Sequence, residues 1–230
     1  MDSGQVPTSF LESHIFSISK GGDPTNPLNY RPIALLNCDY KIFTRILARR
    51  MRSYLPKMVH DTQFGFVPKR TIHGAIDLFE AANVAVKAAD TDEMQNAQVL
   101  MLDFAKAYDS LSRHFMLEVL QAKGIPPKYC RVIRSIHEGT TARFKANGDL
   151  SRAITVTSGI RQEFPLAPLL FIVAVDSLYD EIESNPILRG ITFENQQDKP
   201  PEAADRNEAS TLTIVGYADD TATYITNAEL

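Results

Sequence analysis

Tyr217-Ala218-Asp219-Asp220 lies between two short β-rich runs, residues 211–216 and 221–225 of the 230-residue sequence. Thr, Ile, Val and Tyr dominate these runs and a polar turn joins them, which predicts a β-hairpin. The adjacent carboxylates Asp219 and Asp220 would then stand at the tip of the hairpin. Carboxylates in such a place are poorly placed for packing and well placed to bind hard divalent cations.

A third carboxylate, Asp103, ends the apolar run 99–102, which predicts a buried strand that stops at a charge. Mg²⁺ prefers a few carboxylate oxygens plus substrate phosphates, and a pair of such ions can clamp the attacking and leaving oxygens of a phosphoryl transfer. A split βαβ arrangement would bring Asp103 beside the 217–220 turn. The three carboxylates together predict a site for metal-dependent phosphoryl transfer.

The composition limits the protein class. A chain of 230 residues with 44% hydrophobic content predicts one or two domains with a real core. The sequence has no apolar run of about 18 residues, so no membrane span is expected. Residues 1–5 lack the pattern of a secretory signal, and Cys38 and Cys130 have no metal-ligand spacing. These features predict a reduced, intracellular chain.

The charge is unevenly distributed along the chain. Residues 1–75 hold 10 Lys or Arg and 5 Asp or Glu, whereas residues 76–230 hold 14 and 23, within a net charge of −4. A basic front segment and an acidic rear segment suit a protein that binds phosphate with one part and metal with another. Ordinary fluctuation of charge along a sequence is the alternative.

Hydrophobic periodicity and turn residues predict the order of the elements. Residues 1–37 are expected to be loop-rich apart from an extended segment at 31–36, and 194–209 to form a polar flexible loop. A hairpin is expected at 142–157 around Asn147-Gly148. Helices are expected at about residues 39–55, 72–89, 112–123, 127–138 and 165–183. Because strands and helices do not alternate strictly, the fold class is α+β with an antiparallel sheet.

Several segments in a fixed order resemble a reverse transcriptase of the non-LTR retrotransposon (LINE-like) type. The segments are Tyr30-Arg31-Pro32-Ile33-Ala34-Leu35-Leu36 with Tyr40-Lys41, Gln63-Phe64-Gly65-Phe66-Val67-Pro68-Lys69-Arg70, Leu102-Asp103-Phe104-Ala105-Lys106-Ala107-Tyr108-Asp109, Gly159-Ile160-Arg161-Gln162 with 165–171, and Tyr217-Ala218-Asp219-Asp220. The resemblance covers residues 18–225. A group II intron-like enzyme is the alternative within the same class.

The resemblance implies a right-hand polymerase fingers–palm core with an antiparallel, ferredoxin-like palm sheet and no thumb. Residues 1–96 would form a fingers-like segment, and residues 97–230 would form the palm with motifs A, B and C, truncated before the thumb. The implied function is that of an RNA-directed DNA polymerase fragment, which adds deoxynucleotides to a primer 3′ end by two-metal phosphoryl transfer. The implied partners are an RNA template, a DNA primer and a deoxynucleoside triphosphate (dNTP). The implied place of action is the nucleus, at the site of element integration.

The resemblance also assigns site residues. Asp103, Asp219 and Asp220 would be catalytic. Together with the backbone carbonyl of Phe104 they would hold two Mg²⁺ ions, for which Mn²⁺ is a possible substitute. The nucleotide-binding residues would be Arg31, Lys41, Phe104, Tyr108 and Gln162. The nucleic-acid-binding residues would be Lys69, Arg70 and Tyr217.

Several of these residues have an alternative interpretation that involves no ligand. Tyr108 is expected beneath the sugar of the incoming nucleotide, and the alternative is a core residue on the first turn of a helix. Lys69 and Arg70 could be solvated surface cations, and Tyr217 could pack in the core. The basic side chains of the 39–55 helix could contact nucleic acid or only water.

The sequence departs from the family pattern after Gln162. Glu163 stands where the family has Gly, and Phe164 stands where a small residue is usual. Gly allows close backbone approach, and a carboxylate at this position would repel a triphosphate. The alternative function is therefore a catalytically dead retrotransposon remnant with weak nucleic-acid binding. A third alternative is a nucleotidyl cyclase with a related palm, against which Gln162 and the fingers motifs argue.

Overall fold

The computed structural model describes residues 6–161, 163–193 and 210–226. The helices are α1 (Thr8–Leu11), α2 (Cys38–Arg52), α3 (Ile72–Ala88), α4 (Asp92–Gln95), α5 (Ala107–Ser110), α6 (Arg113–Ala122), α7 (Pro127–His137) and α8 (Ala167–Ser184). The strands are β1 (Glu12–Ser19), β2 (Tyr30–Leu35), β3 (Gln98–Leu102), β4 (Thr141–Ala146), β5 (Asp149–Leu150), β6 (Ile154–Thr155), β7 (Ile191–Phe193), β8 (Ser210–Leu212), β9 (Ile214–Tyr217) and β10 (Asp220–Ile225). The mixture confirms the α+β class.

Two compact units divide the chain, and each is discontinuous in sequence. The first unit comprises Met1–Met51 and Lys106–Ala174, and the second comprises Arg52–Ala105 and Val175–Leu230. These units reflect packing and do not identify fingers or palm. The expected boundary between a fingers-like segment at 1–96 and a palm at 97–230 therefore stays a prediction.

The first unit is built on a mixed sheet with strand order β2-β1-β4-β5, to which β6 adds by pairing with β4. β1 pairs antiparallel with β2 and parallel with β4. Asn147 and Gly148 join β4 to β5 with positive φ angles of 53° and 93°, which confirms the expected hairpin turn. Helices α6 and α7 pack on each other, and Leu120, Ile133 and Ile136 are fully buried there.

The expectation of a loop-rich stretch at 1–37 was wrong for β1. The segment Glu12–Ser19 is an eight-residue strand with two neighbours in the sheet. Its formation depends on hydrogen bonds to β2 and to β4, which lies more than 100 residues along the chain. When pairing with distant strands stabilises a strand, the β propensity of its own sequence can be weak.

The second unit contains a three-stranded antiparallel sheet with order β3-β10-β9 and a separate β7–β8 pair. Helix α3 packs against β7 and β9. The core between them is made of apolar side chains: Phe64, Leu78, Ala82, Ala85, Ile191, Phe193, Leu212, Val215, Ala222 and Tyr224. This core fixes the hairpin that carries Asp219 and Asp220.

Strand β3 forms as expected, but the expectation that it is buried was wrong. It lies at the edge of its sheet, and Leu100 and Met101 are 53% and 67% exposed. A short apolar run does not by itself separate a central strand from an edge strand.

Two expectations concern residues that the structure does not describe. The flexible loop expected at 194–209 and the nucleotide contact expected at Gln162 both lie outside the described residues. Among the helices that the structure describes, none combines the length and the apolar character needed to cross a membrane.

Candidate active site

The register of the second unit's sheet brings the acidic residues together. Leu102, the last residue of β3, lies opposite Thr221 of β10, and Asp220 lies opposite Tyr217 across the hairpin. Asp103 follows Leu102, and Asp220 precedes Thr221, so both lie at the same end of one strand pair. Neighbouring strands are about 5 Å apart. Asp103 therefore stands beside the turn that holds Asp219, as the split βαβ arrangement required.

The donor set at this end of the sheet fits Mg²⁺. Asp103 and Asp220 are exposed and Asp219 is half-buried. Within the described ranges no three Asp, Glu, His or Cys side chains form a group that could hold a metal ion by themselves. Mg²⁺ does not need such a cage, because proteins bind it through one or two carboxylates plus substrate phosphates and water. Asp103 and Asp219, with Asp220 beside them, would supply those carboxylates, and the carbonyl of Phe104 would be a further donor.

The turn that contains Asp219 and directly precedes Asp220 has an unusual backbone. Ala218 and Asp219 form a two-residue connection, and Ala218 has a φ of 63°. Positive φ at only the first central residue is the pattern of a type II′ turn, where Gly is the usual residue. An L-residue with a side chain in this region costs roughly 1–2 kcal/mol, so the surrounding structure must hold it.

Gln63 holds this turn through both backbone groups of Ala218. The Ala218 amide donates to Gln63 Oε1 at 2.9 Å, and Gln63 Nε2 donates to the Ala218 carbonyl at 3.3 Å. Nε2 also lies 3.2 Å from the hydroxyl of Tyr179, and Gln63 is only 1% exposed. A buried side-chain amide thus fixes the residue next to Asp219.

The segment around Gln63 runs alongside β9. Phe64 N donates to the Gly216 carbonyl at 2.8 Å, and Gly216 N donates to the Thr62 carbonyl at 3.0 Å. Gly65 lies so close to the turn that a Cβ there would overlap the backbone of Ala218. No individual role was predicted for Gln63 or Gly65 from the sequence. The available signal was a Gly flanked by aromatic residues, since such a Gly often marks close approach of another backbone.

Lys69 and Arg70 lie in different environments. The guanidinium of Arg70 donates to the carbonyls of His60 and Gln63 and contacts Asp61 Oδ1 at 3.2 Å. Lys69 is exposed, with a φ of 69°. Arg70 therefore stabilises the 60–63 loop, and of the two cations Lys69 presents its charge to solvent.

Tyr217 lines a shallow groove of about 260 Å³ beside the carboxylates. Its walls come from α3, β3 and the hairpin, and they are mostly apolar: Ile72, Ala75, Ile76, Phe79, Met101, Val215, Gly216, Tyr217, Asp220, Thr221 and Ala222. Tyr217 is half-buried here. This geometry is compatible with both the expected primer contact and its alternative, core packing.

The expected nucleotide contacts Arg31, Lys41 and Tyr108 belong to the first unit. Arg31 is exposed on β2 and Lys41 is half-buried on α2. The ring of Tyr108 packs against that of Phe171 with centroids 5.1 Å apart, and the Tyr108 carbonyl accepts a hydrogen bond of 2.8 Å from Ile160 N. Tyr108 is thus tied to the segment that leads to residue 162.

The two residues that depart from the family pattern have different consequences. Glu163 is exposed with a φ of 69°, a conformation that favours Gly. Phe164 is buried and packs between the rings of Tyr40 and His137, at centroid distances of 5.8 and 5.7 Å. Phe164 is therefore accommodated as a core residue, whereas Glu163 has an unfavourable backbone.

The two units carry opposite charge. The first unit's sequence ranges contain 16 Lys or Arg and 9 Asp or Glu, a net charge of +7, and the second unit's contain 8 and 19, a net charge of −11. The difference in net charge between the two units is larger than the difference between residues 1–75 and residues 76–230. The positive unit suits a polyanion, and the negative unit, which carries Asp103, Asp219 and Asp220, suits cations.

A family model described as "Reverse transcriptase (RNA-dependent DNA polymerase)" matches residues 18–230. The chain belongs to the reverse transcriptase family. Its relatives include the Pol polyprotein of the type-1 retrotransposable element R2 of Popillia japonica, which is 28% identical over 94% of this chain. The probable RNA-directed DNA polymerase of transposon X-element of Drosophila melanogaster is 30% identical over 68% of it. These relatives confirm the predicted non-LTR retrotransposon type.

This reverse transcriptase chain spans a minor part of those proteins, 28% of the R2 protein and 17% of the X-element protein. Among solved structures, apo telomerase from Candida tropicalis, truncated from its C-terminal domain, superposes with a TM-score of 0.59. The match has 14% identity and covers 97% of this chain and 45% of the telomerase chain. At this identity the likeness concerns the fold, and it confirms the predicted fingers–palm core.

Proposed function

We propose that this chain is the core of an RNA-directed DNA polymerase that extends a primer with deoxynucleotides on an RNA template. The observation that carries the proposal is the β3–β10 register, which places Asp103 beside the Asp219–Asp220 turn in a chain of the reverse transcriptase family. Family membership supplies the class of reaction, and the register supplies the carboxylates it needs.

The reaction forms a bond between the primer 3′-oxygen and the α-phosphorus of the dNTP. The bond from the α-phosphorus to the bridging oxygen breaks, pyrophosphate leaves, and the proton of the 3′-hydroxyl passes to solvent. Two Mg²⁺ ions, when bound, would activate the attacking oxygen and offset the charge on the phosphates. Asp103 and Asp219 would hold the ions, Asp220 would add negative charge beside them, and Gln63 would keep the turn in place.

The first unit would bind the nucleotide. Arg31 and Lys41 would contact the triphosphate, and Gln162 would contact the nucleoside. Tyr108, whose ring is supported by Phe171, would lie beneath the sugar and exclude a 2′-hydroxyl. The net charge of this unit favours RNA and the triphosphate, with Lys69 of the second unit as a further phosphate contact.

Homopolymer extension tests the proposal. The chain would be incubated with Mg²⁺, dTTP and an oligo(dT) primer on poly(rA), together with the variants Asp219→Asn and Asp77→Asn. Asp77 is an exposed carboxylate of α3 in the same unit, which makes it a matched control. We expect Asp219→Asn to lose at least roughly 100-fold in rate, because metal coordination contributes several kcal/mol. Extension that persists in Asp219→Asn would exclude the proposed chemistry.

A nucleic-acid-binding remnant without polymerase activity is the second candidate function. The observation that favours it is Glu163, a carboxylate with a φ of 69° where the family has Gly. The same preparation distinguishes the two functions. Salt-sensitive binding of the poly(rA)–oligo(dT) duplex without any extension, in a chain whose folding is verified by circular dichroism, would favour the remnant.

A further inference from the structure

Arg113, the first residue of α6, uses all five of its side-chain donors inside the first unit. A guanidinium group has one donor on Nε and two on each terminal nitrogen. Nε donates to the Gly159 carbonyl (2.8 Å), Nη1 to the carbonyls of Val156 (2.9 Å) and His137, and Nη2 to Thr140 Oγ1 (3.1 Å) and the Ser158 carbonyl (3.3 Å). Four of the five acceptors are backbone carbonyls, and three of these belong to the segment 156–159.

The end of this segment is hydrogen-bonded to α5, which carries Tyr108, and to Leu111 directly after it; α5 and Leu111 are called the Tyr108 turn below. Gly159 N donates to the Leu111 carbonyl at 3.0 Å, and Ile160 N donates to the Tyr108 carbonyl at 2.8 Å. Gly159 has a φ of 73°, and a Cβ there would overlap the backbone of Asp109. Two close approaches, one by Arg113 and one by the Tyr108 turn, therefore fix the chain just before residue 162.

We infer that Arg113 is a positioning residue for sugar selection, which holds the segment 156–160, just before Gln162, against the α5 helix that carries Tyr108. The inference rests on the proposed function, because Tyr108 and Gln162 are its expected nucleotide contacts. Discrimination between a deoxyribose and a ribose depends on where an aromatic ring lies relative to one hydroxyl group. Misplacement by about 1 Å can change a rate by about 100-fold.

The geometry of the guanidinium, more than its charge, is what this role requires. Its acceptors are four carbonyls and a hydroxyl, one for each of the five donors on the rigid fork of Arg. Lys would keep the positive charge but has three donors on a single nitrogen, so it cannot reach acceptors on both sides of the fork. Arg113→Lys therefore separates loss of geometry from loss of charge.

The test compares dTTP with UTP as substrates for poly(rA)-templated extension by the full chain, Arg113→Lys and Arg131→Lys. Arg131 is an exposed residue of α7 in the same unit and serves as the matched control. We expect Arg113→Lys to lower the dTTP-to-UTP preference at least roughly tenfold and to raise the KM for dTTP more than it lowers kcat. The preference in Arg131→Lys should stay within twofold of the parent.

A second readout does not depend on turnover. Hydrogen exchange of the Gly159 and Ile160 amides should quicken in Arg113→Lys, since both amides donate to the Tyr108 turn. A purely structural role would reduce the folded, active fraction and leave the dTTP-to-UTP ratio unchanged, because both rates fall together.

The outcomes are distinct. An unchanged ratio in a folded Arg113→Lys that still extends the primer would overturn this inference and leave the proposed function intact. A parent chain that is folded yet extends with neither substrate would overturn the proposed function and this inference with it. A lowered ratio together with faster exchange at residues 159 and 160 would support both.

Discussion

The side-chain amide of Gln63 hydrogen-bonds the amide and the carbonyl of Ala218, at 2.9 and 3.3 Å, although the two residues are 155 positions apart. Ala218 has a positive φ and directly precedes Asp219. The conformation of the carboxylate turn is therefore held by a loop, not by the hairpin sequence alone. Gln63 is buried, so loss of its amide would leave both Ala218 groups without this partner in a dry environment.

Gln63→Ala should weaken both the fold and the catalysis. A buried polar group that loses its partner costs about 1–3 kcal/mol, and the affected groups here are the Ala218 amide and carbonyl, the Gly65 amide and the Tyr179 hydroxyl. We expect the free energy of unfolding in urea to fall by at least that amount and primer extension to fall more than tenfold at temperatures where the variant is still folded. Gln121→Ala, at an exposed position of α6, should change neither quantity. Full activity in a folded Gln63→Ala would contradict the role of Gln63.

Lys69→Ala and Arg70→Ala should affect different quantities. Lys69 presents its charge to solvent, so its removal should reduce the slope of log K against log salt for single-stranded RNA binding by about 0.7. The Arg70 guanidinium already contacts His60, Gln63 and Asp61, so its removal should lower stability by about 1–3 kcal/mol and leave the slope unchanged. Salt titrations and urea unfolding of both variants provide the comparison. A reduced slope in Arg70→Ala alone would reverse these assignments.

His137 should make stability depend on pH. Burial, together with the nearby positive charges of Arg161 and Arg113, lowers the pKa of His137 to about 3, although the hydrogen bond from Nδ1 to the Ile133 carbonyl opposes the shift. The folded chain therefore keeps His137 neutral, whereas the unfolded chain binds a proton below about pH 6.5. The free energy of unfolding should fall by about 2 kcal/mol from this group between pH 7 and pH 5.

Urea unfolding of the parent and of His137→Gln at the two pH values isolates this contribution. The variant should lose most of the pH dependence that His137 causes, even if its stability at pH 7 is lower. His114→Gln provides the control, because His114 is 83% exposed and pairs with Glu118 on its own helix. Equal pH dependence in the parent and His137→Gln would contradict the assignment.

Local patterns were sufficient for the elements whose stability is mostly local. Helix α3 and the hairpin around Asp219 follow from periodicity and turn residues, and Asp103 follows from its place after an apolar run. The strand β1 could not be found in this way, because its hydrogen bonds go to β2 and β4 and its sequence has no decisive signal.

The supports of the candidate site could not be predicted from spacing either. Gln63 and Ala218 meet only in the folded chain, and Arg113 satisfies carbonyls that lie 24 to 46 positions away. Every residue has a backbone carbonyl, so the residue types in the sequence do not show which carbonyls a side chain such as Arg113 will bind. The exposure of β3 was missed for a related reason, since an apolar run has the same composition in a central strand and an edge strand.

Glu163→Gly should raise stability and nucleotide incorporation together. Glu163 has a φ of 69°, which costs roughly 1–2 kcal/mol for a residue with a side chain, while Gly loses about 0.5–1 kcal/mol of that gain through the entropy of the unfolded chain. We therefore expect a gain of up to about 1.5 kcal/mol in urea unfolding. Removing a carboxylate beside Gln162 should also lower the KM for dTTP, because like charges repel. Asn147→Gly is the control for backbone strain, because Asn147 has a φ of 53° in the turn between β4 and β5, and this substitution should leave KM unchanged. If Glu163→Gly is more stable but its KM for dTTP equals that of the parent, Glu163 acts on the backbone alone and does not repel the triphosphate.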